Sequence, residues 1–169
     1  MKLPDAERVC DELLKELKAV LGPKSAMIGI YTGGAWLAER LHARLGMATP
    51  LGLMDIAFYR DDYHARGLHH DPKRTKIPFD INGREILLVD DVLYTGRTVR
   101  AAMNELFDYG RPASITLVVL ADRGGRQLPI CAQHCGAPSV VSPWISERAT
   151  RECSTSPMMA TVRREKSFL

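Results

Sequence analysis

The sequence lacks an apolar run long enough to cross a membrane, which takes about 20 residues. Its N-terminal stretch, MKLPDAERVCDELLKELKAVLG, is charged throughout and has no unbroken apolar segment of the kind found in secretory signals. These two absences predict a cytoplasmic protein that has no membrane partner.

Cysteine is also scarce, with four residues at positions 10, 131, 135 and 153. Without a secretion signal, such cysteines are predicted to be reduced thiols. The run CAQHC, Cys131 to Cys135 with His134 inside it, has spacing that zinc sites use. No second Cys/His pair accompanies it, so thiols in a loop are the favoured interpretation.

Two further function classes lack their signatures. No Gly-x4-Gly-Lys-Ser/Thr motif occurs, which excludes a Walker A nucleotide site. A net charge of +3 is too small for the basic stripe of a dedicated nucleic-acid binder, but it suits a phosphate-bearing ligand. With 46% hydrophobic and 25% charged residues, the 169 residues predict one globular domain spanning 1–169.

Apolar residues recur at helical spacing along the N-terminal stretch. Asp5 is positioned to cap this predicted helix, and the Gly22-Pro23 pair ends it. The run AMIGIY then has the length of a buried strand and leads into TGG, residues 32–34. A second predicted helix carries Trp36 as a packing group and ends at Gly46. The inward positions of the two helices are Val9, Leu13, Leu14, Leu17 and Leu21, then Leu37, Leu41 and Leu45.

The middle of the chain combines a strand pattern with a long polar stretch. The run LGLMDIAFYR predicts a strand with Met54, Ile56 and Phe58 on one face. Residues 60–76 are polar, basic and aperiodic, which predicts a mobile loop of the kind that covers active sites. The following run, DINGREILLV, resembles a hairpin that leads into the next strand.

The second half begins with a helix predicted from about Arg97 to Tyr109. Its inward residues are expected to be Val99, Met103, Leu106 and Phe107. The run SITLVVLA after it is a further buried strand. Strands that alternate with helices in this way predict an α/β fold, doubly wound around a mostly parallel sheet.

The stretch ILLVDDVLYTGRTVRAA places Asp90 and Asp91 at the end of an apolar strand and a loop of small residues directly after them. Ligands of doubly wound sheets bind beyond the carboxyl ends of the strands. Small residues that enter a helix let amides and hydroxyls, such as those of Thr95 and Thr98, cradle a phosphate. Two acids beside that phosphate require sugar hydroxyls or Mg²⁺ between them. A phosphorylated ribose meets these conditions.

Two other interpretations of this stretch were weighed. Solvated acids at a strand end are common singly, but they leave the adjoining phosphate loop unexplained. A receiver domain of a response regulator also ends its first strand in paired acids. That strand lies near the start of a receiver, however, whereas Asp90 lies past the middle of this chain.

The run ILLVDDVLYTGRT resembles the phosphoribosyl-pyrophosphate signature of type I phosphoribosyltransferases. The blocks GIYTGGAWLAERL, FYRDD and YGRPASITLVVLADRGGRQLPI make the chain similar to the PyrR family from about Met27 to Ile130. This resemblance implies a uracil phosphoribosyltransferase, with a small hood beside its sheet, that makes UMP and pyrophosphate from uracil and phosphoribosyl pyrophosphate. It also implies that the enzyme uses Mg²⁺ as a cofactor and that the chain forms a homo-oligomer. The alternative is an RNA-binding transcriptional attenuator that senses UMP.

The resemblance also implies roles for individual residues. Asp90 and Asp91 would hold the ribose hydroxyls and the metal, Arg60 would act catalytically at the start of the mobile loop, and Arg123 would lie beside uracil. The implied residues for phosphoribosyl pyrophosphate are Thr32, Gly33, Gly34, Asp90, Asp91, Val92, Leu93, Tyr94, Thr95, Gly96, Arg97 and Thr98.

The chain departs from the family pattern in three places. Gly33 stands where many members carry arginine. Residues from about 138 to 169 lack the expected alternating final strand and are predicted to be a divergent tail. Arg126 remains from the basic patch of RNA-binding members, but Cys131 and Ala137 stand near its later positions, so RNA binding is expected to be weak or absent.

Overall fold

A five-stranded parallel sheet forms the centre of the protein. The computed structural model describes residues 6–56 and 75–137. The strands are β1 (Ser25–Ile30), β2 (Gly52–Met54), β3 (Glu85–Leu93), β4 (Ser114–Asp122) and β5 (His134–Ala137). They lie in the order β2-β1-β3-β4-β5, and each neighbouring pair is parallel. The predicted doubly wound sheet is confirmed, while the expected hood and the tail beyond Ala137 lie outside the described residues.

Helices cover both faces of the sheet. Alternate residues of a strand point to opposite faces, and Met27 and Leu87 accordingly pack with α1 (Ala6–Val20) and α2 (Gly33–Leu45). Ile28 and Leu88 pack on the other face with α3 (Arg97–Tyr109). All six residues of β1 are buried, as expected for a strand covered on both sides. Within the described ranges, no helix is both long and apolar enough to cross a membrane.

The helix boundaries follow local signals in the sequence. Gly46 ends α2 with φ +63° and donates its N–H to the His42 carbonyl at 3.1 Å, a left-handed cap that favours glycine. The predicted start and end of α3 coincide with those observed.

Two aromatic residues that were predicted to pack inward are exposed instead. The exposed fraction is 53% for Trp36 and 55% for Phe107. The residues that α3 buries are Val99, Ala101, Ala102, Glu105 and Leu106.

The hairpin expected in DINGREILLV does not form. Asn82 and Gly83 do make a turn, in which the Arg84 N–H donates to the Ile81 carbonyl at 3.1 Å. Both edges of β3 are already occupied by β1 and β4, so no strand preceding this turn can pair with β3. The strand predicted around Met54 ends at that residue, since Asp55 and Ile56 lie outside it, and Phe58 lies outside the described residues.

The sequence analysis does not predict strand β5, because it assigns the CAQHC run to a loop. His134 and Cys135 instead belong to the edge strand beside β4. Their side chains point to opposite faces of the sheet, because Nδ1 of His134 lies 3.0 Å from the Glu16 carboxylate on α1, whereas Cys135 packs against the core on the α3 side. Burial raises the pKa of the Cys135 thiol to about 11, so this thiol stays protonated at neutral pH.

Glu105 is a buried acid on α3, with only 7% of its surface exposed. Its Oε1 accepts a hydrogen bond of 2.6 Å from the Thr75 hydroxyl, while Oε2 has no hydrogen-bond partner among the described residues. Desolvation raises the pKa of Glu105, and the nearby charges of Asp55 and Asp108 raise it further. The Thr75 hydrogen bond opposes these effects only in part. Glu105 therefore binds its proton more tightly in the folded chain than in the unfolded chain.

We expect Glu105→Gln to remove this source of pH dependence. A raised pKa in the folded state contributes stability at low pH, and that contribution is lost as the pH rises through the pKa. The free energy of unfolding of the variant should therefore exceed that of the wild type by about 1 kcal/mol at pH 8, and this difference should shrink towards pH 4. Urea denaturation across this range measures it. The control is Glu39→Gln, a substitution of an exposed acid. If the free energy of unfolding depended on pH equally in the wild type and in Glu105→Gln, the expectation would be contradicted.

Candidate active site

Two loops meet at the carboxyl ends of β1 and β3. These strands are adjacent and parallel, with Gly29 opposite Val89 as the last pair of their register. Residues 31–34 directly follow β1. Residues 90–96 directly follow the part of β3 that pairs with β1. The sequence predicted both segments as ligand loops, and the strand order brings them to one edge of the sheet. The peptide bond between Tyr31 and Thr32 is cis.

The loop after β1 approaches the backbone of β3 very closely. A Cβ added to Gly34 would lie 2.5 Å from the Val89 carbonyl oxygen and 2.8 Å from the Cα of Asp90. A Cβ on Gly33 would lie 1.9 Å from Oδ2 of Asp91. The resemblance implied that these glycines permit the close approach of an anion. For Gly34 the structure shows a different requirement, since the neighbouring strand fills the space of a side chain.

The paired acids lie within β3, which continues to Leu93 by pairing with β4. Asp90 is buried, with 6% of its surface exposed, and its Oδ1 accepts the Asp91 N–H at 3.0 Å. Asp91 is exposed, and its Oδ1 accepts the Val92 N–H at 2.7 Å. The two carboxylates are therefore not equivalent. One is fixed inside the site and the other faces the open edge beside Gly33.

The remaining residues predicted to bind phosphoribosyl pyrophosphate differ in their access to a ligand. Leu93 is 1% exposed and belongs to the core, so only its backbone reaches the loop. Val92 and Tyr94 are exposed. Thr32 is exposed as well, while Thr95 and Thr98 are half-buried.

Gly96 connects the loop after β3 to α3. Its φ of +88° is left-handed and needs glycine, and as the N-cap residue it supplies no side-chain cap to the helix that starts at Arg97. The Arg97 N–H donates to the Thr95 hydroxyl at 3.3 Å. A helix start with small residues and no acid in its first turn is suited to an anion.

Tyr94 and Arg123 form a stack beside this loop. The Arg123 guanidinium lies 4.4 Å from the centre of the Tyr94 ring, a cation–π contact. Gly125 also packs against the ring, since a Cβ at this position would lie 2.6 Å from Cε2 of Tyr94. Sequence reasoning missed the contributions of the Tyr94 ring and of Gly125. The double glycine in DRGGR, directly after β4, is a turn signal that could have indicated this contact.

The chain matches a protein-family model described as "Phosphoribosyl transferase domain" over residues 2–146. It is 57% identical over 115 residues to the bifunctional protein PyrR of Nitrosococcus oceani, covering 67% of this chain and 65% of that protein, just under two thirds of its length. It is 48% identical over 134 residues to the bifunctional protein PyrR of Pseudomonas aeruginosa, covering 77% of this chain and 79% of that protein. This chain belongs to the PyrR family of phosphoribosyltransferases.

Solved structures agree with the PyrR-family fold. A hypoxanthine phosphoribosyltransferase from Staphylococcus aureus matches with a TM-score of 0.61 at 22% identity, covering 81% of this chain and 74% of that one. A purine phosphoribosyltransferase from Pyrococcus horikoshii matches with a TM-score of 0.58 at 23% identity, covering 79% and 82%. At these identities the likeness concerns the fold alone.

Several residues that the PyrR resemblance singled out lie outside the described residues. These include Arg60 and the predicted mobile loop up to residue 74. The last two loop residues, Thr75 and Lys76, are described. Lys76 forms an isolated antiparallel bridge with Leu53 of β2, with both hydrogen bonds at 2.8 Å.

Proposed function

We infer that this protein is a uracil phosphoribosyltransferase of the PyrR family, with a role in regulating pyrimidine biosynthesis. The reaction joins N1 of uracil to C1 of the ribose, breaks the bond from C1 to pyrophosphate, and releases the N1 proton of uracil. The observation that carries this proposal is the meeting of residues 32–34 with Asp90 and Asp91 at one sheet edge.

Each part of this edge is suited to one part of the substrate. The carboxylates of Asp90 and Asp91 accept hydrogen bonds from the ribose hydroxyls, and ionised acceptors make the stronger bonds. The amides and hydroxyls of residues 95–98 bind the 5-phosphate at the start of α3. The loop of Thr32, Gly33 and Gly34 lies beside Asp91 and receives the pyrophosphate.

Phosphoribosyltransferases generally use Mg²⁺ with phosphoribosyl pyrophosphate. Mg²⁺ typically binds one or two carboxylates and takes its remaining ligands from phosphates and water. Asp91 fits this requirement because its carboxylate is exposed and faces the pyrophosphate loop, with buried Asp90 next to it. Within the part of the chain that the structure describes, no three His, Cys, Asp or Glu side chains converge on a metal position. Bound Mg²⁺ would neutralise charge on the departing pyrophosphate.

The residues of this site act by position and charge. Positive charge develops on the ribose as pyrophosphate leaves, and the paired carboxylates stabilise that charge. Arg123 is assigned to the uracil base because the PyrR resemblance implies it, and its guanidinium is held over the Tyr94 ring. The mechanism requires no protein nucleophile, because orientation of the two substrates supplies much of the rate enhancement.

The decisive experiment incubates the protein with Mg²⁺, phosphoribosyl pyrophosphate and either uracil or hypoxanthine. We expect UMP and pyrophosphate from uracil and little product from hypoxanthine. In Arg123→Ala the KM for uracil should rise roughly tenfold, as expected for the loss of one charge-assisted hydrogen bond, while the KM for phosphoribosyl pyrophosphate changes little. Arg111→Ala, an exposed arginine at the opposite end of the sheet, is the control. Absence of UMP would contradict the proposal.

The same preparation tests the attenuator alternative. Binding to the pyrimidine-operon leader RNA of its own organism, with and without UMP, should be weak at physiological salt. One observation supports this expectation, since the Arg126 guanidinium is engaged in hydrogen bonds within the protein. Tight, UMP-enhanced and sequence-selective binding would make RNA regulation a principal function of this chain.

A further inference from the structure

The segment from Asp122 to Ile130 runs behind the loop that follows β3 and binds its carbonyls. The Arg123 N–H donates to the Leu93 carbonyl at 2.9 Å. The amides of Gln127 and Leu128 donate to the Thr95 carbonyl at 3.0 and 3.2 Å. A peptide carbonyl and the amide that follows it point in roughly opposite directions. Holding these carbonyls on the outer side therefore favours amides that point into the site.

The carbonyl between these two, that of Tyr94, is held by a side chain. Nη1 of Arg126 donates to it at 2.7 Å. The same guanidinium donates through Nε to the Ile130 carbonyl at 2.9 Å and pairs through Nη2 with the Asp122 carboxylate. Asp122 is fixed in turn, since its other oxygen accepts the Gly124 N–H at 2.8 Å. Nη1 also lies 3.5 Å from the Leu93 carbonyl oxygen, and these partners in different directions define the position of the planar guanidinium.

We propose that Arg126 is a positioning residue for the phosphate-binding loop of the proposed transferase. It fixes the Tyr94 carbonyl on the outer side, so that the amides leading to Gly96 and α3 stay directed at the 5-phosphate. Arg126 acts through geometry rather than through its charge on the phosphate, because the Asp122 carboxylate pairs with that charge. The inference rests on the proposed function, since it assigns the loop to the phosphate of phosphoribosyl pyrophosphate.

The geometry distinguishes arginine from lysine at this position. Lysine keeps the positive charge but has a single terminal nitrogen, so it cannot serve Tyr94, Ile130 and Asp122 together. If Arg126 acted through its charge, Arg126→Lys would retain phosphate affinity. If Arg126 acts through geometry, phosphate affinity should be lost both in Arg126→Lys and in the uncharged Arg126→Met.

The test measures binding of ribose 5-phosphate by calorimetry, which requires no transfer reaction. We expect Kd to rise roughly tenfold in both Arg126→Lys and Arg126→Met, as for the loss of one charge-assisted hydrogen bond. The KM for phosphoribosyl pyrophosphate should rise similarly, and the KM for uracil should change less than twofold. Arg111→Met, an exposed arginine far from the loop, is the matched control and should bind as the wild type does.

Folding is checked by thermal unfolding of each variant. Should the Arg126 variants fail to fold, Asp122→Asn weakens only one contact of the guanidinium and should raise the same Kd about threefold. Wild-type affinity in a folded Arg126 variant, or recovery of affinity by lysine, would overturn the inference. A wild-type protein that binds ribose 5-phosphate but forms no UMP would overturn the proposed function and leave the loop assignment intact.

Discussion

Replacing Asp90 and Asp91 together by asparagine is expected to lower kcat/KM for UMP formation roughly a hundredfold or more while the fold survives. The backbone hydrogen bonds of both side chains need only an acceptor oxygen, and asparagine retains one. Asp90 accepts the Asp91 N–H, and Asp91 accepts the Val92 N–H. The substitution thus removes negative charge at the proposed ribose and Mg²⁺ positions with little change in local geometry.

The single variants separate the two acids. Asp90 is buried and fixed, so Asp90→Asn should mainly lower kcat by weakening the contact with the ribose. Asp91 is exposed beside Gly33, so Asp91→Asn should mainly raise the Mg²⁺ concentration required for half-maximal rate. Steady-state kinetics with Mg²⁺ titration measures both effects, and circular dichroism confirms the fold. Glu39→Gln, an exposed acid on α2, is the control, and wild-type turnover in the double variant would refute the assignment.

Gly34→Ala is expected to have the second large effect. Its Cβ would lie 2.5 Å from the Val89 carbonyl oxygen and 2.8 Å from the Cα of Asp90, and backbone atoms in a sheet cannot move aside cheaply. The variant should lose about 1–3 kcal/mol of stability. Transfer should also be largely abolished, because the displaced loop no longer aligns pyrophosphate with the ribose.

Two neighbouring variants make this expectation specific. In Gly33→Ala the nearest obstacle is the exposed Asp91 carboxylate, which can rotate, so the protein should keep its stability while its Mg²⁺ dependence changes. In Gly22→Ala the nearest atoms are at 3.4 and 3.9 Å, so both stability and activity should stay close to wild type. Urea denaturation and the UMP assay measure all three variants. Equal stability of the Gly34 and Gly22 variants would show that the loop does not contact β3 in this way.

Much of this protein is determined by short stretches of its sequence. The apolar runs of β1, β3 and β4 and the limits of α3 were predicted correctly, because burial on both faces and a 3.6-residue period leave local patterns. The phosphate-loop prediction is local in the same sense, since the acids, Gly96 and the start of α3 occupy one continuous run.

Contacts between distant segments were decided only by the tertiary structure. Strand β5 is a short edge strand without an apolar run, and it forms because β4 leaves an edge open to pair with it. Phe107 was predicted to face inward but is exposed, whereas Glu105 is buried, because the way α3 packs on the sheet decides which of its side chains is covered.

The same distinction applies within the site. Nothing in the local sequence specifies that Gly34 faces the backbone of Val89, or that the Arg126 guanidinium holds the Tyr94 carbonyl. Each contact joins residues more than thirty positions apart, and its geometry depends on strand order and register. The sequence by itself therefore predicted which residues are the candidates for the chemistry. The packing of the sheet decided how they are held, because close approach and hydrogen-bond direction exist only once distant segments have met.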